Sequence, residues 1–330
     1  MQKCLDLAIK GKANVAPNPM VGCIVVFEDK IIGQGFHELF GQAHAEVNAI
    51  KSVINKSLLP LSTLYVNLEP CAHFGKTPPC ASLIIEHKIP KVVIGCIDTF
   101  SKVSGKGIAQ MQTKNIDVIS GVLEKECRDL NKRFFTFHEQ KRPYIILKWA
   151  SSSDGYIAPK EQNDPFWMTS IQSKKRVHQW RSEEMGILVG TKTAINDNPS
   201  LTVRDVVGKN PIRFVLDKNL RLANDLVLFN KEAKTFIFTE NATEKNHLQT
   251  DFTNLPKNVC NELYQKGIQS VIIEGGRQTL QSFIDANLWD EARVFTAPIK
   301  LKDGIKAPDF NQEYSQHEQV ANDHLKTYYR

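Results

Sequence analysis

The sequence lacks any apolar run of the roughly 18–20 residues that a membrane-spanning helix needs. A signal peptide is missing too, because the N-terminal segment MQKCLDLAIKGKAN has lysines spread through a helical pattern and no apolar core or cleavage site. The 7 cysteines are an odd number scattered over 330 residues, which argues against a disulfide framework. These absences predict a cytoplasmic protein with no membrane partner, whose thiols are available to bind a metal.

Neither sign of charge dominates the sequence. The 42 basic and 36 acidic residues give a net charge of +6, and the longest basic run is the segment 174–176. Such dispersed charge indicates solvated surfaces, and it attracts an anionic small molecule as readily as a nucleic acid. With 42% apolar residues, the chain has the composition of a globular protein long enough for two domains.

The first half alternates strands and helices, as in a layered α/β sheet. The predicted helices are 2–12, 44–54, 79–87, 107–114 and 123–138, and the predicted strands are 21–27, 31–36, 63–68, 91–97 and 118–119. The polar stretch Glu139–Arg142 then precedes a new strand opened by Pro143. We therefore expect a domain boundary there, with domains at 1–140 and 143–330.

The second half shows the same alternation without an internal repeat, so it predicts a second, different α/β fold. Its predicted strands are 144–149, 187–190, 212–216, 235–238 and 270–273, and its predicted helices are 170–181 and 278–286. It contains neither G-x-G-x-x-G nor a P-loop, so the motif evidence for a Rossmann or ATP-binding domain is missing.

Three residues of the first half have the side chains of a zinc site. His44 opens a predicted helix, Cys71 follows a predicted strand, and Cys80 lies nine positions further on. One imidazole and two thiolates suit zinc and leave the fourth tetrahedral position to water, whose pKa then falls towards about 7. This set predicts a catalytic site. The alternative is a closed structural site, for which His73 is the nearby fourth ligand.

Glu46, two residues after His44, is placed to move protons beside such a zinc site. The pattern H-x-E…P-C-x-x-C is the signature of zinc nucleobase deaminases, in which the glutamate is the general acid and base. The gap between Cys71 and Cys80 is eight residues here, where that signature has two. The longer gap therefore distinguishes this chain from most nucleobase deaminases.

The first half resembles one particular family. The strings APNPMVGC (16–23), GFH (35–37), HAEVNAI (44–50), LEPCAHFGKTPPC (68–80) and GKGI (105–108) are similar to the deaminase half of the bifunctional riboflavin biosynthesis deaminase/reductase family. The resemblance implies that Asn18, His37, His73 and Lys76 contact the pyrimidine or its ribose phosphate. One departure is segment 98–101, DTFS, where the family usually has D-P-N-P.

The second half resembles the reductase half of the same family, in the same order along the chain. The matching strings are KWASSSDGYIA (148–158), WMTS (167–170), the segment 178–204 and GIQSVIIEGGRQTL (267–280). The resemblance implies a dihydrofolate-reductase-like fold that uses NADPH. It is weakest beyond Trp289, where Lys302, Asp303 and Gly304 replace the usual glycine pair.

The resemblance also implies which reductase residues contact each ligand. The NADPH site would be lined by Ser151, Trp167, Thr193, Asp197, Gly276, Arg277, Gln278, Thr279, Leu280, Gln281 and Ser282. The substrate site would be lined by Pro165, Arg181, Leu201, Arg204 and Glu274.

Elementary chemistry offers both functional and structural explanations for some of these residues. Backbone amides after Glu274, at a glycine pair before a helix, can approach a phosphate, although such turns are more often only structural. The guanidinium groups of Arg181 and Arg204 match phosphate oxygens, but each arginine could instead form a surface ion pair. Lys148 and Asp197 both remain candidates to assist proton transfer to the substrate sugar.

The resemblance implies a bifunctional hydrolase and oxidoreductase. It would deaminate 2,5-diamino-6-(5-phosphoribosylamino)pyrimidin-4(3H)-one with zinc and then reduce the ribosyl group with NADPH. A tRNA or free-nucleobase deaminase fused to an unrelated domain is the enzyme alternative. The non-enzyme alternative is a zinc-stabilised nucleic-acid-binding module. Against it, this sequence lacks a basic stripe interleaved with aromatic residues. We expect a small-molecule partner and no nucleic acid, and the sequence leaves a homo-oligomer open.

Overall fold

The computed structural model describes residues 1–72, 78–100, 104–160 and 166–330. Contacts within it divide the chain into two compact units, Met1–Gln140 and Lys141–Arg330. No helix in the described residues is both long enough and apolar enough to cross a membrane.

The first unit is built on a mixed five-stranded sheet whose strands lie in the order β2-β1-β3-β4-β5. The strands are β1 (Gly22–Phe27), β2 (Lys30–Phe36), β3 (Thr63–Leu68), β4 (Lys91–Cys96) and β5 (Asp117–Ile119). Its α-helices are α1 (Gln2–Ala8), α2 (Ala45–Ser52), α3 (Cys80–Glu86), α4 (Lys106–Gln112), α5 (Glu124–Leu130) and α6 (Lys132–Gln140), and short 3-10 helices span Ile9–Gly11 and Lys56–Leu61. These bounds confirm the predicted alternation of strands and helices.

Strand pairing explains where the side chains of the first unit gather. β1 is antiparallel to both β2 and β3, whereas β3, β4 and β5 run parallel. The turn between β1 and β2 has Glu28 and Asp29 at positive φ, as tight hairpin turns require. Because β3 and β4 are parallel, their carboxyl ends lie at one edge, and the loops that follow them lie side by side.

One predicted helix of the first unit is wrong. The apolar spacing predicted a single helix over 123–138, but the structure has α5 and α6 separated at Asn131. Asn131 is buried and uses its side-chain amide to bond a distant part of the backbone. That tertiary contact outweighs the local helical pattern.

The second unit is built on a nine-stranded sheet in the order β11-β10-β9-β8-β12-β6-β13-β16-β15. The described strands are β6 (Tyr144–Ser152), β7 (Tyr156–Ala158), β8 (Gly186–Gly190), β9 (Ile212–Leu216), β10 (Thr235–Thr239), β11 (His247–Gln249), β12 (Ser270–Glu274), β13 (Glu291–Ala297), β14 (Ile305–Lys306), β15 (Gln316–Val320) and β16 (Asp323–Tyr329). The helices are α7 (Ile171–Glu183), α8 (Thr191–Asp197), α9 (Leu255–Gln265) and α10 (Arg277–Asp285), with a 3-10 turn at Val227–Phe229.

The large sheet is parallel from β11 through β13, and β16 and β15 extend it antiparallel. Its central strands are almost wholly buried, as expected for parallel strands covered on both faces. Apolar cores lie around Ile145 and Phe283 on one side and around Ile146 and Phe295 on the other. Two antiparallel strands, β7 and β14, form a separate small ribbon.

Candidate active sites

The three predicted zinc ligands come from separate elements of the first unit. His44 is the N-cap residue of α2, Cys71 follows the end of β3, and Cys80 is the first residue of α3. Cys71 and the start of α3 lie side by side, because Ala81 N–H donates to the Cys71 carbonyl over 3.1 Å. Cys80 N–H also donates to Cys71 Sγ over 3.3 Å. The sulfur atoms of Cys71 and Cys80 therefore lie close to each other although eight residues separate them in sequence.

The ligand atoms surround a common point. His44 Nδ1 lies 3.6 Å from Cys71 Sγ and 3.4 Å from Cys80 Sγ, and the three atoms lie within 4.8 Å of one another. Ordinary zinc–sulfur and zinc–nitrogen bonds in a tetrahedron place sulfur and nitrogen about 3.5 Å apart. Within the described ranges, no other cluster of three or more potential ligand side chains occurs. The geometry and the donor types fit zinc.

Charges at this site are strongly coupled. The neighbouring Cys80 thiol and His44 lower the pKa of Cys71, whereas the Cys71 thiolate and burial raise the pKa of Cys80. Burial raises the pKa of the Glu46 carboxyl to about 7, and the Cys71 thiolate acts in the same direction. A metal cation in the site would favour both thiolates and lower the pKa of Glu46.

Glu46 lies in the first turn of α2 and is 3% exposed. A carboxylate there is favoured by the helix dipole. Glu46 is therefore held beside the predicted metal position by the same helix that begins at His44.

Two of the residues assigned to substrate, His37 and Asn18, form a chain of contacts that leads to the predicted zinc ligand His44. His37 Nδ1 lies 3.0 Å from the Ala43 carbonyl, which makes Nδ1 the donor and leaves Nε2 to accept from Asn18 Nδ2 over 3.1 Å. The His37 ring packs edge-on against His44 with centroids 5.5 Å apart. Burial lowers the pKa of His37, so the neutral ring is favoured. His73 and Lys76 lie outside the described residues.

Glu69 is a structural feature of this edge that sequence reasoning missed. Its carboxylate is 3% exposed and accepts backbone hydrogen bonds from Asp98, Gly105, Gly107 and Ile108. It thereby holds the first turn of α4 beside the loop that carries Cys71. In the altered segment 98–101, Asp98 is buried and accepts from Phe100 N–H over 2.7 Å, and Ser101 lies outside the described residues.

In the second unit, two helices start at one edge of the sheet. α8 follows β8 and α10 follows β12, and these strands are neighbours. Gly276 N–H donates to Thr193 Oγ1 over 2.9 Å. A Cβ on Gly275, which has φ of 111°, would lie 2.6 Å from the same hydroxyl. Only glycine suits this close approach and this backbone, so the helix N-termini can present amides together.

The side chains of segment 276–282, which the resemblance assigned to the NADPH site, lie in different surroundings. Thr279 lies close to Gly190, where a Cβ would approach its hydroxyl to 2.5 Å. Leu280 is fully buried in the core, so its side chain does not face the helix N-terminus. Arg277 and Gln281 instead bond to Asp309, Ser282 Oγ donates to the Thr279 carbonyl, and Gln278 is exposed.

Buried charges gather at the end of β12. Arg181 Nη2 donates to Glu274 Oε2 over 2.9 Å, and both residues are less than a tenth exposed. Lys148 pairs in register with Glu274 on the neighbouring strand. Burial alone would raise the pKa of Glu274, but Arg181 and Lys148 hold it below its ordinary value. Burial lowers the pKa of Lys148, with Arg181 adding to the effect.

Arg204 lies near this cluster through Thr202. Arg181 Nη1 donates to the Thr202 carbonyl over 3.5 Å, and Arg204 Nη1 lies 3.5 Å from the Thr202 hydroxyl. Arg204 also contacts the Ser200 hydroxyl, and Arg204 is exposed. The two arginines therefore approach one residue from different sides.

His178 is a second residue that sequence reasoning missed. It is 1% exposed and its Nδ1 accepts the Arg204 backbone N–H over 3.3 Å, while Nε2 lies 3.4 Å from Asp205. Burial lowers the pKa of His178 to about 4, and Arg181 acts in the same direction. A neutral His178 therefore holds the loop of Arg204. His178 is the first residue of the segment 178–204 that resembles the family, but nothing in the sequence around it indicated that it would be buried or would hold another loop.

The remaining predicted reductase residues fall in varied surroundings. Ser151 is buried at the end of β6, Leu201 is buried with φ of 54°, and Asp197 ends α8. Trp167 is 52% exposed, and Lys174 Nζ lies 5.5 Å from the centre of its ring. Pro165 lies outside the described residues.

Fold and site together define a class: a zinc-dependent deaminase of the cytidine deaminase type joined to an α/β reductase. Residues 1–96 match the model of the cytidine and deoxycytidylate deaminase zinc-binding region. Residues 143–323 match the model of the RibD C-terminal domain. The predicted fold class, with a cytidine-deaminase-like unit followed by a dihydrofolate-reductase-like unit, is confirmed.

Relatives of known function cover nearly the whole chain. A riboflavin biosynthesis protein RibD of Aquifex aeolicus is 41% identical over 94% of this chain and 89% of its own length, and one of Bacillus amyloliquefaciens is 40% identical over 93% and 86%. The crystal structure of a diaminohydroxyphosphoribosylaminopyrimidine deaminase/5-amino-6-(5-phosphoribosylamino)uracil reductase from Thermotoga maritima is 36% identical. It covers 99% of this chain and 96% of its own chain, with a TM-score of 0.89. Acinetobacter baumannii RibD, 30% identical over 99% and 97%, has a TM-score of 0.91.

The chain belongs to the bifunctional deaminase/reductase family of riboflavin biosynthesis. It is an enzyme with two activities, a hydrolytic deamination and an NADPH-dependent reduction, and its cofactors are zinc and NADPH.

Proposed function

We propose that residues 1–140 deaminate 2,5-diamino-6-(5-phosphoribosylamino)pyrimidin-4(3H)-one and that residues 143–330 reduce the deaminated product to 5-amino-6-(5-phosphoribitylamino)uracil. The observation that supports the first half best is the convergence of His44 Nδ1 with two cysteine sulfurs at 3.6 and 3.4 Å. Glu46 lies buried beside these atoms. Three ligands with an adjacent carboxylate suit hydrolysis rather than a closed structural site.

In the deaminase site, His44, Cys71 and Cys80 would hold the zinc and Glu46 would move the proton. Bound zinc supplies Lewis acidity that activates water at neutral pH. Glu46 takes a proton from that water as its oxygen adds to the amino-bearing ring carbon. It then returns the proton to the amino nitrogen as the carbon–nitrogen bond breaks and ammonia leaves. A buried carboxyl beside the ligand atoms suits this alternation, because the same group can accept the proton and then donate it.

Substrate contacts in this site are assigned to Asn18, His37, His73 and Lys76. The neutral His37 orients the Asn18 amide through the bond to its Nδ2, which leaves the Asn18 carbonyl oxygen as an acceptor for substrate. Lys76 would meet the anionic ribose phosphate as a point charge.

In the reductase site, NADPH would be held by Ser151, Trp167, Thr193, Asp197 and the segment 276–282. Bound NADPH supplies the hydride. The paired starts of α8 and α10, bridged from Gly276 to Thr193, suit a phosphate of the cofactor because free amides gather there. Within 276–282, the backbone and Thr279 are the parts placed for this contact, because Leu280 faces the core.

Substrate in the reductase site is assigned to Pro165, Arg181, Leu201, Arg204 and Glu274. Arg204 is exposed, so its guanidinium can bind the substrate phosphate. Arg181 bonds Glu274 and so orients the glutamate towards the sugar. Of the two candidates for proton transfer, we favour Lys148 over Asp197, because Lys148 lies in register with Glu274 and its lowered pKa eases proton release.

We also propose that the enzyme works in the cytoplasm on this phosphorylated small molecule and binds no nucleic acid. All 7 cysteines are free thiols, as a reducing compartment allows. Thiolate ligands for zinc depend on that reduced state.

The assay that tests this function uses the phosphorylated diaminopyrimidine with and without NADPH. Without NADPH, we expect ammonia in equal amount to substrate consumed, and removal of zinc by a chelator should abolish its release. With NADPH, one cofactor should be oxidised for each ribityl product formed. Ammonia release that survives complete zinc removal would overturn the deaminase assignment. Failure to oxidise NADPH on the deaminated substrate would overturn the reductase assignment.

A further inference from the structure

The segment 16–21, which carries Asn18, has few backbone bonds of its own. Pro17 and Pro19 flank Asn18 and have no backbone N–H to donate. Asn18 N–H donates to the Val15 carbonyl over 2.8 Å. Val21 accepts from His37 N–H over 2.9 Å, and Met20 is bonded at both its N–H and its carbonyl by side chains from elsewhere in the unit.

Two buried asparagines bond the Met20 backbone. Met20 N–H donates to Asn131 Oδ1 over 2.7 Å, and Asn131 Nδ2 donates to the Met20 carbonyl over 2.9 Å. Asn67 Nδ2 donates to the same carbonyl over 3.1 Å, and Asn67 Oδ1 accepts from Gly22 N–H over 2.7 Å. Asn131 is 3% exposed and Asn67 is fully buried. The Asn131 amide thus pairs with Met20 as a neighbouring strand would.

The chain breaks a helix to place Asn131 there. α5 ends at Leu130 and α6 begins at Lys132, with Asn131 between them. Asn131 N–H donates to the Arg128 carbonyl and its own carbonyl accepts from Phe135 N–H, each over 3.0 Å. The backbone at the junction is therefore satisfied on both sides, so the side-chain amide is free to serve Met20. An amide suits this role, because it accepts at Oδ1 and donates from Nδ2 at the same time, through two separate atoms of one short side chain.

The bonds to Met20 lead directly to the deaminase site. Asn18, two residues before Met20, donates to His37, whose ring packs on the zinc ligand His44. The position of Asn18 is thus restrained by its own bond to His37 and by the bonds that hold Met20, two residues further on. Of these two restraints, the Met20 restraint depends on a residue 111 positions away in sequence.

We propose that Asn131 is a positioning residue for deamination: by pairing with Met20 it sets the distance of Asn18 from the zinc site, and it does not itself touch substrate. This inference rests on the proposed role of Asn18 as a substrate contact. It predicts an effect on substrate affinity rather than on the metal or on the second activity of the same chain.

The experiment uses Asn131→Leu in the full-length chain, loaded with zinc. Loss of both bonds to Met20 should raise the KM for deamination about tenfold, with kcat changed much less. Zinc content should stay at the wild-type level, and NADPH-dependent reduction of the deaminated substrate should be unchanged. Leu130→Ala is the matched control, because it loosens the same helix junction but keeps both Asn131 bonds. Its KM should stay near the wild-type value. If Asn131→Leu does not fold, Asn131→Ala makes the same test, because it also removes both hydrogen-bonding groups without adding a larger apolar side chain.

A double-mutant cycle with Asn18→Ala separates this inference from the function on which it rests. If Asn131 acts through Asn18, the double variant should have the same KM as Asn18→Ala alone. A double variant whose KM is raised by the product of the two single fold-increases would overturn the inference. So would an unchanged KM in the Asn131 variant while Asn18→Ala raises it. An unchanged KM in Asn18→Ala itself would instead overturn the proposed substrate contact, and the inference with it.

Discussion

Arg181 and Glu274 form a buried ion pair with 2.9 Å between Nη2 and Oε2. Each residue keeps one buried polar atom without a hydrogen-bond partner in the described part of the chain, Nε of Arg181 and Oε1 of Glu274. Buried polar atoms are costly unless they are bonded. The pair therefore keeps unused bonding capacity at the position to which we assign the reductase substrate.

Arg181→Lys should weaken substrate binding in the reductase. Lysine keeps the charge but loses the guanidinium fork, and a bond involving a charged group contributes about 1.5–3 kcal/mol. We expect the KM for the deaminated substrate to rise roughly ten- to hundredfold, and the KM for NADPH to change much less. Arg204→Lys should behave alike with a smaller effect on stability, because Arg204 is exposed.

Arg176→Lys is the matched control for these kinetics. Arg176 lies on the same helix as Arg181, but its side chain is 40% exposed and pairs with Glu318, so both KM values should stay near wild type. A selective rise in the NADPH KM for Arg181→Lys or Arg204→Lys would assign that arginine to the cofactor instead.

Cys80→Ala should lose the zinc that the wild type binds at one per chain. Removing one of three ligands leaves a single thiolate and an imidazole, which is too few for a stable site. Metal analysis after dialysis measures the outcome. Cys127→Ala is the control, because Cys127 is equally buried in the same unit but lies outside the ligand cluster. Full zinc retention in Cys80→Ala would remove Cys80 from the ligand set.

Glu46→Gln should keep zinc and fold but lose deamination by a factor of about 10²–10⁴, since glutamine cannot move the proton. Reduction of the already deaminated substrate should persist, which makes the second activity an internal control. The measurements are ammonia release, zinc content and NADPH oxidation. Deamination near the wild-type rate would show that Glu46 is not the proton carrier.

His178 should make the stability of the second unit depend on pH. Its pKa falls from an ordinary value of 6.5 to about 4 on folding, so between these values the unfolded chain binds more protons than the folded one. The stabilisation is therefore complete above pH 6.5 and is lost as the pH falls towards 4. His178→Gln should flatten this part of the profile, as measured by urea unfolding of the second unit within the full chain. An identical slope in both proteins would contradict the prediction.

The residue at which an isolated reductase fragment begins should affect the stability of that fragment. Arg142 bonds Asp290 through two nitrogens, at 2.6 and 2.7 Å, and Asp290 also accepts from Ile145 N–H. A fragment of residues 141–330 should therefore be more stable than one of 143–330 by about 1.5–3 kcal/mol. Both should reduce the deaminated substrate without zinc. Denaturant unfolding compares them, and Arg142→Ala in the longer fragment should reproduce the loss. A soluble, folded fragment unable to bind NADPH would refute the proposed division of the two activities.

Local pattern was sufficient for the alternation of strands and helices and for naming three candidate zinc ligands. His44, Cys71 and Cys80 each lie at the end of an element that apolar spacing predicts, and their side chains have little chemistry in common except metal binding. The same holds for Glu46, whose place two residues after His44 puts it in the first turn of the same helix. The sequence could indicate these candidates because their donor chemistry is distinctive and the predicted elements fix where each one lies.

Tertiary structure alone decided the partners of the other residues. The helical spacing over 123–138 could not show the break at Asn131, because the bonds that favour it come from Met20, 111 residues away. Likewise Arg181 meets Glu274 across 93 residues, and His178 reaches the loop of Arg204 only when α7 packs on the sheet. A buried polar group must be bonded somewhere, but the sequence does not name its partner, since that choice is made by the packing of elements distant along the chain.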